Sequence, residues 1–222
     1  MCGGIRMEWL NDIKVYDDVL DQPEIENIYD YLKTSFYTLQ RTNDTAMLER
    51  SKKFLKYERT EHELAGFMES FTRDQMRDAL TDYDLKAEEL YWTRIHKGAP
   101  ESTKEDEELC EALYGALTSV CDAPPYEVLG NVYTNMLRCM DRPKAHIDNI
   151  DAKNRTVMFY TNREWHRDWG GETVFFDYED NIIKAIAPKP GRVVSFDGRI
   201  PHSARAPQTS AYVPRYITVM KF

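Results

Sequence analysis

Long apolar runs are missing from this 222-residue chain. No stretch reaches the roughly 20 consecutive apolar residues that a membrane-spanning helix requires. The N-terminus lacks the basic, apolar and small-residue progression of a secretory leader. Both absences point to a cytosolic (cytoplasmic) protein with no membrane partner. Cysteine is scarce as well. Cys2, Cys110, Cys121 and Cys139 show neither a CxxC pair nor a Cys/His zinc spacing, and a chain this long needs no disulfide framework, so reduced thiols are expected. A Lys/Arg stripe is also absent, which argues against nucleic acid as a partner, because phosphate contacts dominate such binding. There is no internal repeat and no low-complexity segment.

What is there fits one soluble globular domain, 42% apolar and 30% charged. The net charge of −9 is unevenly placed. Residues 1–125 carry 15 basic against 27 acidic residues (net −12), and residues 126–222 carry 14 against 11 (net +3). A mildly cationic C-terminal part suits an anionic small molecule through focusing of the local field.

The N-terminal part reads as a mainly helical support region with a few strand candidates. Asp21-Gln22-Pro23-Glu24 joins an N-cap, a first-turn proline and a capping-box glutamate. Ile25, Ile28, Leu32, Phe36 and Leu39 then share one helical face. Residues 46–80 carry helical spacing at Phe54, Leu64, Phe67, Met68 and Phe71. Ser102-Thr103-Lys104-Glu105 reads as a second capping box, opening a helix along Leu109, Leu113, Leu117 and Val120 that Pro124-Pro125 stop. After Pro125 the texture turns to short β-branched and aromatic runs cut by Gly, Pro, Asn and Asp. Strands are expected at 128–137, 156–161, 172–176, 182–187, 192–196 and 215–222. The expected fold class is mostly β with flanking α-helices, within a single domain of 1–222 whose core is 126–222.

His146 and Asp148 are two residues apart, so an extended backbone points both to one face, where they could hold one ion. With the distant His202 they make two imidazoles and one carboxylate, the facial set that binds non-haem iron(II) with open positions. His166-Arg167-Asp168 also spells HxD. It lies in a loop rich in Trp and charge, a poor place to fix ligands tightly, and reads as a surface or substrate-entrance loop. Gly170-Gly171, Gly191 and Gly198 read as turn glycines. Met136, Met140 and Met158 read as core filler.

The ordered series HIDN, RTVMFYTNREW, WGGETVFF, PKPGRVVSFDGRIPHSA and PRYITVMKF resembles the catalytic core of Fe(II)/2-oxoglutarate-dependent oxygenases of the prolyl 4-hydroxylase-like branch, over roughly residues 126–222. The resemblance implies a double-stranded β-helix (jelly roll), braced by the N-terminal helices. It implies His146, Asp148 and His202 as catalytic metal ligands, and Arg215 as the bidentate partner of the distal carboxylate of 2-oxoglutarate. Arg205 is a rival for that role, since the interval from His202 to Arg215 is long for the family. Tyr160 matches the family tyrosine that donates to the same carboxylate, and Tyr133 is expected to face the cosubstrate. Thr218, an odd number of residues after Arg215, should point to the opposite face of the strand.

The implied cofactors are Fe(II), 2-oxoglutarate and O2, with ascorbate as reductant. The implied activity is hydroxylation of an unactivated C–H bond coupled to decarboxylation of 2-oxoglutarate to succinate and CO2. A prolyl residue in a protein or peptide is the leading substrate, beside free amino acids and other small metabolites. Two other classes are weighed against this. A non-enzymatic jelly-roll binding module would be favoured by loss of one of the three ligands, and none is lost. A zinc hydrolase would need a general base, and no HExxH-type glutamate is present.

Overall fold

The last strand, RYITVMK, is apolar on both faces, which makes it a strand buried on two sides. Arg215, Ile217, Val219 and Lys221 alternate with Tyr216, Thr218 and Met220, and all but Lys221 are buried. The computed structural model describes residues 12–40, 91–100, 102–141, 143–149 and 154–222. The helices expected in 46–80 lie outside these.

The described elements run in the order β1 (Ile13–Tyr16), α1 (Gln22–Thr34), β2 (Thr38–Gln40), β3 (Tyr91–Lys97), α2 (Lys104–Val120), β4 (Asn131–Leu137), β5 (Arg155–Tyr160), β6 (Thr173–Phe176), β7 (Ile182–Ile186), β8 (Val193–Asp197), β9 (His202–Ala204) and β10 (Arg215–Lys221). They form a seven-stranded sheet, β1-β8-β5-β10-β4-β3-β2, and a three-stranded sheet, β7-β6-β9. The pairings are antiparallel. The fold is mostly β with flanking helices, as expected, and β1, β2 and β3 of the large sheet come from before residue 126.

Two apolar clusters lie on the two faces of the large sheet. On one face Val132, Met136, Phe159, Val193, Tyr216 and Met220 meet Ile25, Ile28 and Leu32 of α1 and Leu109, Leu113 and Leu117 of α2. On the other, Met158, Tyr160, Val194, Phe196, Ile217 and Val219 meet Phe175 and Ile186 of the small sheet. This second face is the interior into which the site projects. Register fixes which side chains share it. Tyr133 pairs with Val219, Tyr160 with Ile217, and Thr156 with Lys221, so all of these lie on the Arg215 face of β10.

Helix α1 starts as expected, with Asp21 as N-cap and a reciprocal box with Glu24. It ends earlier than the apolar spacing predicts. Ser35 caps it with an extended backbone, Phe36 is exposed, and Leu39 belongs to β2, paired with Trp92 of β3. Pairing with β3 outweighs one more helical turn. The capping box of α2 is formed by Thr103 and Asp106, one residue after the expected Ser102 and Glu105. The cause is tertiary. Asp106 is fully buried and also receives Tyr31 Oη at 2.6 Å and Arg94 Nη2 at 2.8 Å, and it meets the His96 ring. His96 continues to Thr134 Oγ1 at 2.8 Å, and Thr134 to Thr218 Oγ1 at 2.8 Å. Thr218 therefore does point away from Arg215, into a buried polar chain that ties α2 to the sheet.

Candidate metal centre

His146 and Asp148 lie in an extended segment just before β5, which the backbone pins from both sides. His146 forms a β-bridge with His202, with N–H···O distances of 3.0 and 2.9 Å. The Asp148 amide donates to the Gly198 carbonyl at 2.8 Å. This pinning brings His202, on the short strand β9, against a pair more than fifty residues earlier. Their ligand atoms lie within 4.8 Å of one another, and among the described residues theirs is the only group of three His, Cys, Asp or Glu side chains so arranged.

Both imidazoles are oriented by backbone carbonyls. His146 Nδ1 lies 3.1 Å from the Lys144 carbonyl and His202 Nδ1 lies 2.9 Å from the Ile200 carbonyl. A carbonyl only accepts, so each Nδ1 carries a proton, and in the neutral ring Nε2 is the nitrogen with the free lone pair. Those Nε2 atoms face Asp148, at 3.4 Å from Oδ1 for His146 and 3.7 Å from Oδ2 for His202. Asp148 is held in turn. Thr156 donates to Oδ2 at 2.6 Å and Lys221 donates to Oδ1 at 2.8 Å. Two neutral imidazoles turned toward one carboxylate suit a divalent transition-metal ion.

The local charges agree. Burial alone would raise the Asp148 carboxyl, but the hydrogen bond that a protonated His146 donates and the Lys221 ammonium beside it hold it well below the usual range. Burial lowers His202 to about 4. His146, half-exposed at the rim, is raised by its hydrogen bond to Asp148. At neutral pH the carboxylate is charged and His202 neutral, the forms that bind metal.

Deeper in the same interior stands Arg215, 2% exposed. Its Nη2 donates to Thr173 Oγ1 at 2.7 Å, and its guanidinium lies 5.5 Å from the centroid of the Tyr160 ring. The Thr173 hydroxyl, accepting from Arg215, passes its own proton toward Tyr160 Oη at 2.9 Å, and Tyr160 donates to the Ile186 carbonyl at 3.3 Å. Among the described residues Arg215 forms no ion pair with a carboxylate, and its buried Nε has no hydrogen-bond partner. A buried guanidinium left so is costly, and this one presents a receptor for an anion of carboxylate geometry.

The remaining expectations sort by position. Tyr133 does face the interior, with the Lys221 ammonium 5.4 Å from its ring centroid, and burial together with the Asp148 charge raises its hydroxyl. Arg205 is exposed, 5.9 Å from the Phe176 ring, away from this interior. His166 and Asp168 have exposed side chains in a turn preceding Gly170, where His166 Nδ1 accepts from the Asp168 amide. Met136 and Met158 are buried as expected, whereas Met140 sits exposed on the turn after β4. Thr156, Thr173 and Lys221 escaped the sequence reading. The alternation of β10 would have put Lys221 on the Arg215 face, but nothing local points to its contact with Asp148.

Residues 133–220 match the family model described as "2OG-Fe(II) oxygenase superfamily". A prolyl hydroxylase from Trichoplax adhaerens, solved with a peptide fragment of the hypoxia inducible factor oxygen degradation domain, is 15% identical with a TM-score of 0.52, over 96% of this chain and 84% of that one. A Pseudomonas putida prolyl-4-hydroxylase is 16% identical with a TM-score of 0.45, over 90% of this chain and 99% of that one. The viral collagen prolyl hydroxylase of Paramecium Bursaria Chlorella virus-1 is 15% identical with a TM-score of 0.40, over 73% and 90%. No curated protein matches the chain. Two antiparallel sheets enclosing a cluster of two histidines and an aspartate share the fold of the Trichoplax protein, and the 2OG-Fe(II) oxygenase match over residues 133–220 spans β5 to β9 and all three residues of the cluster.

Proposed function

We propose that this protein is an Fe(II)/2-oxoglutarate-dependent oxygenase that hydroxylates an unactivated C–H bond, with a prolyl residue in a protein or peptide as its leading substrate. His146, Asp148 and His202 are the metal ligands in this reading, and Arg215 with Tyr160 receives the distal carboxylate of 2-oxoglutarate. The observation that carries it is a buried Arg215 without a carboxylate partner among the described residues, on the interior face where the His/Asp/His cluster also lies.

Iron(II) with 2-oxoglutarate supplies activation of O2 for C–H hydroxylation, coupled to release of succinate and CO2. The protein's own residues set the stage for it. The Lys144 and Ile200 carbonyls fix the tautomers that present both Nε2 atoms. Thr156 and Lys221 hold the two Asp148 oxygens, which orients the carboxylate between the two imidazoles. Thr173 keeps Arg215 and Tyr160 in register, so that a carboxylate arriving there finds a guanidinium in place and a phenol whose proton, on the Ile186 carbonyl at a long 3.3 Å, can turn to it. Met158, Val194, Phe196, Ile217 and Val219 form the dry wall behind the site.

The prolyl assignment draws on the fold shared with the Trichoplax prolyl hydroxylase and on the chain's intact His/Asp/His set. It is tested by incubating Fe(II)-loaded protein with 2-oxoglutarate, O2 and proline-containing peptides, reading both succinate and peptide mass. A gain of one oxygen atom on proline, matched by succinate, is the expected result. Succinate release stimulated by free amino acids but by no peptide would move the substrate to that class.

A further inference from the structure

We infer that Lys221 receives a carboxylate of the primary substrate and selects substrates by charge at the rim of the site. The inference rests on the oxygenase reading above. Lys221 is the final residue of β10 and pairs with Thr156 of β5, so its side chain enters the interior beside Asp148. Its ammonium lies 2.8 Å from Asp148 Oδ1, and its side chain is 30% exposed. The half-exposed His146 and the exposed Ile147 mark the same rim.

Two arguments point to an anion. The first is competition for one oxygen. Asp148 Oδ1 is the oxygen nearer an imidazole nitrogen, 3.4 Å from His146 Nε2 against 3.7 Å from His202 Nε2 for the Thr156-bonded Oδ2, and Oδ1 is also the oxygen Lys221 holds. A dication on Asp148 and an ammonium on the same oxygen repel, and a flexible, partly exposed lysine is the partner that yields.

The second is charge balance. A dication, the Asp148 carboxylate, dianionic 2-oxoglutarate and the Arg215 guanidinium sum to zero. Lys221 is then a surplus cation, because Asp148 is its one ion-pair partner among the described residues. A surplus charge at a desolvating rim is relieved by a substrate bringing the opposite sign. The anion has two sources: the α-carboxylate of a free amino acid or C-terminal residue, or an acidic side chain beside the target residue.

The test uses the full chain loaded with Mn(II) and 2-oxoglutarate under nitrogen, so that binding is read without turnover. Calorimetric titration compares L-proline with L-prolinamide, and an acetylated, amidated Glu-Pro peptide with its Gln-Pro counterpart. At least one carboxylate probe should bind roughly tenfold or more tightly than its neutral partner. That preference should vanish in Lys221→Met and persist in Lys221→Arg, and the pair that shows it identifies the source. Wild type with no carboxylate preference, weak or absent binding of every anionic probe included, overturns the inference, as does a preference that survives in Lys221→Met. Mn(II) and 2-oxoglutarate affinities come from the same titrations. A roughly tenfold loss of Mn(II) affinity in Lys221→Met would make Lys221 an anchor for Asp148 and also overturn the inference. Wild type that binds Mn(II) but not 2-oxoglutarate would instead remove the oxygenase reading, and this inference with it.

Discussion

The guanidinium of Arg215 donates to the hydroxyl of Thr173 at 2.7 Å, with that hydroxyl also 2.9 Å from Tyr160. Three residues from β5, β6 and β10 thereby form one directional chain that ends on the Ile186 carbonyl. Removing its charged member should be felt mainly by the cosubstrate. Arg215→Ala is expected to weaken 2-oxoglutarate binding by roughly two orders of magnitude while leaving Mn(II) affinity nearly unchanged. Tyr160→Phe, which removes one donor, should cost roughly threefold to tenfold. Calorimetry of Mn(II)-loaded protein reads both. An Arg205→Ala variant that lost 2-oxoglutarate binding while Arg215→Ala kept it would reassign the receptor.

Metal binding tests the His146, Asp148 and His202 cluster against the second HxD. His146→Ala and His202→Ala should each abolish stoichiometric Mn(II) binding, since two remaining ligands make a weak site. His166→Ala should bind as wild type does, because that side chain is exposed in a turn with no third ligand beside it among the described residues. The reverse pattern would move the metal centre to residues 166–168.

Gly171 has φ +79°, and a Cβ there would lie 2.9 Å from Trp165 Cζ2 and 3.2 Å from Arg215 Cδ. Gly171→Ala therefore carries a backbone penalty of roughly 1–2 kcal/mol. It also pushes Arg215 from its place against Thr173. Thermal unfolding should show the destabilisation, and 2-oxoglutarate affinity should fall with metal affinity intact. Unchanged cosubstrate affinity in a folded variant would mean that Arg215 tolerates the shift.

Acid should destabilise the metal-free protein through His202. Its folded value, about 4, lies below the ordinary imidazole range because of burial, so between pH ~6.5 and ~4 the unfolded chain binds the proton and the folded chain does not. Stability is thus lost as pH falls through that window, by an amount on the order of 3 kcal/mol from this residue. His146, raised by Asp148, acts in the opposite sense near the top of the window. The comparison that isolates His202 is denaturant unfolding of wild type and His202→Gln at pH 7 and pH 4. An equal pH dependence in both proteins would contradict the assignment.

The strands β4 to β8 and β10, the start of α1 and the candidate metal cluster were legible because each is written in local pattern: alternation, a capping box, and an HxD followed by a Pro-His. What was not legible comes from register and tertiary pull. Thr156 and Lys221 meet at Asp148 only because β5 and β10 pair in one register. The start of α2 shifts by one residue because Asp106 is claimed by Arg94, His96 and Tyr31. Strand β9 is three residues long and largely polar in sequence, so nothing local announces it, yet it carries His202.

The central claim is that metal and 2-oxoglutarate share one site on the interior face of β10. It is tested most directly by anaerobic titration of Fe(II)-loaded protein with 2-oxoglutarate, watching for the weak visible charge-transfer band of a keto acid chelated to ferrous iron. The account predicts a saturable band in wild type that is absent from Arg215→Ala at the same cosubstrate concentration. Wild type that binds iron stoichiometrically and shows no band would contradict it.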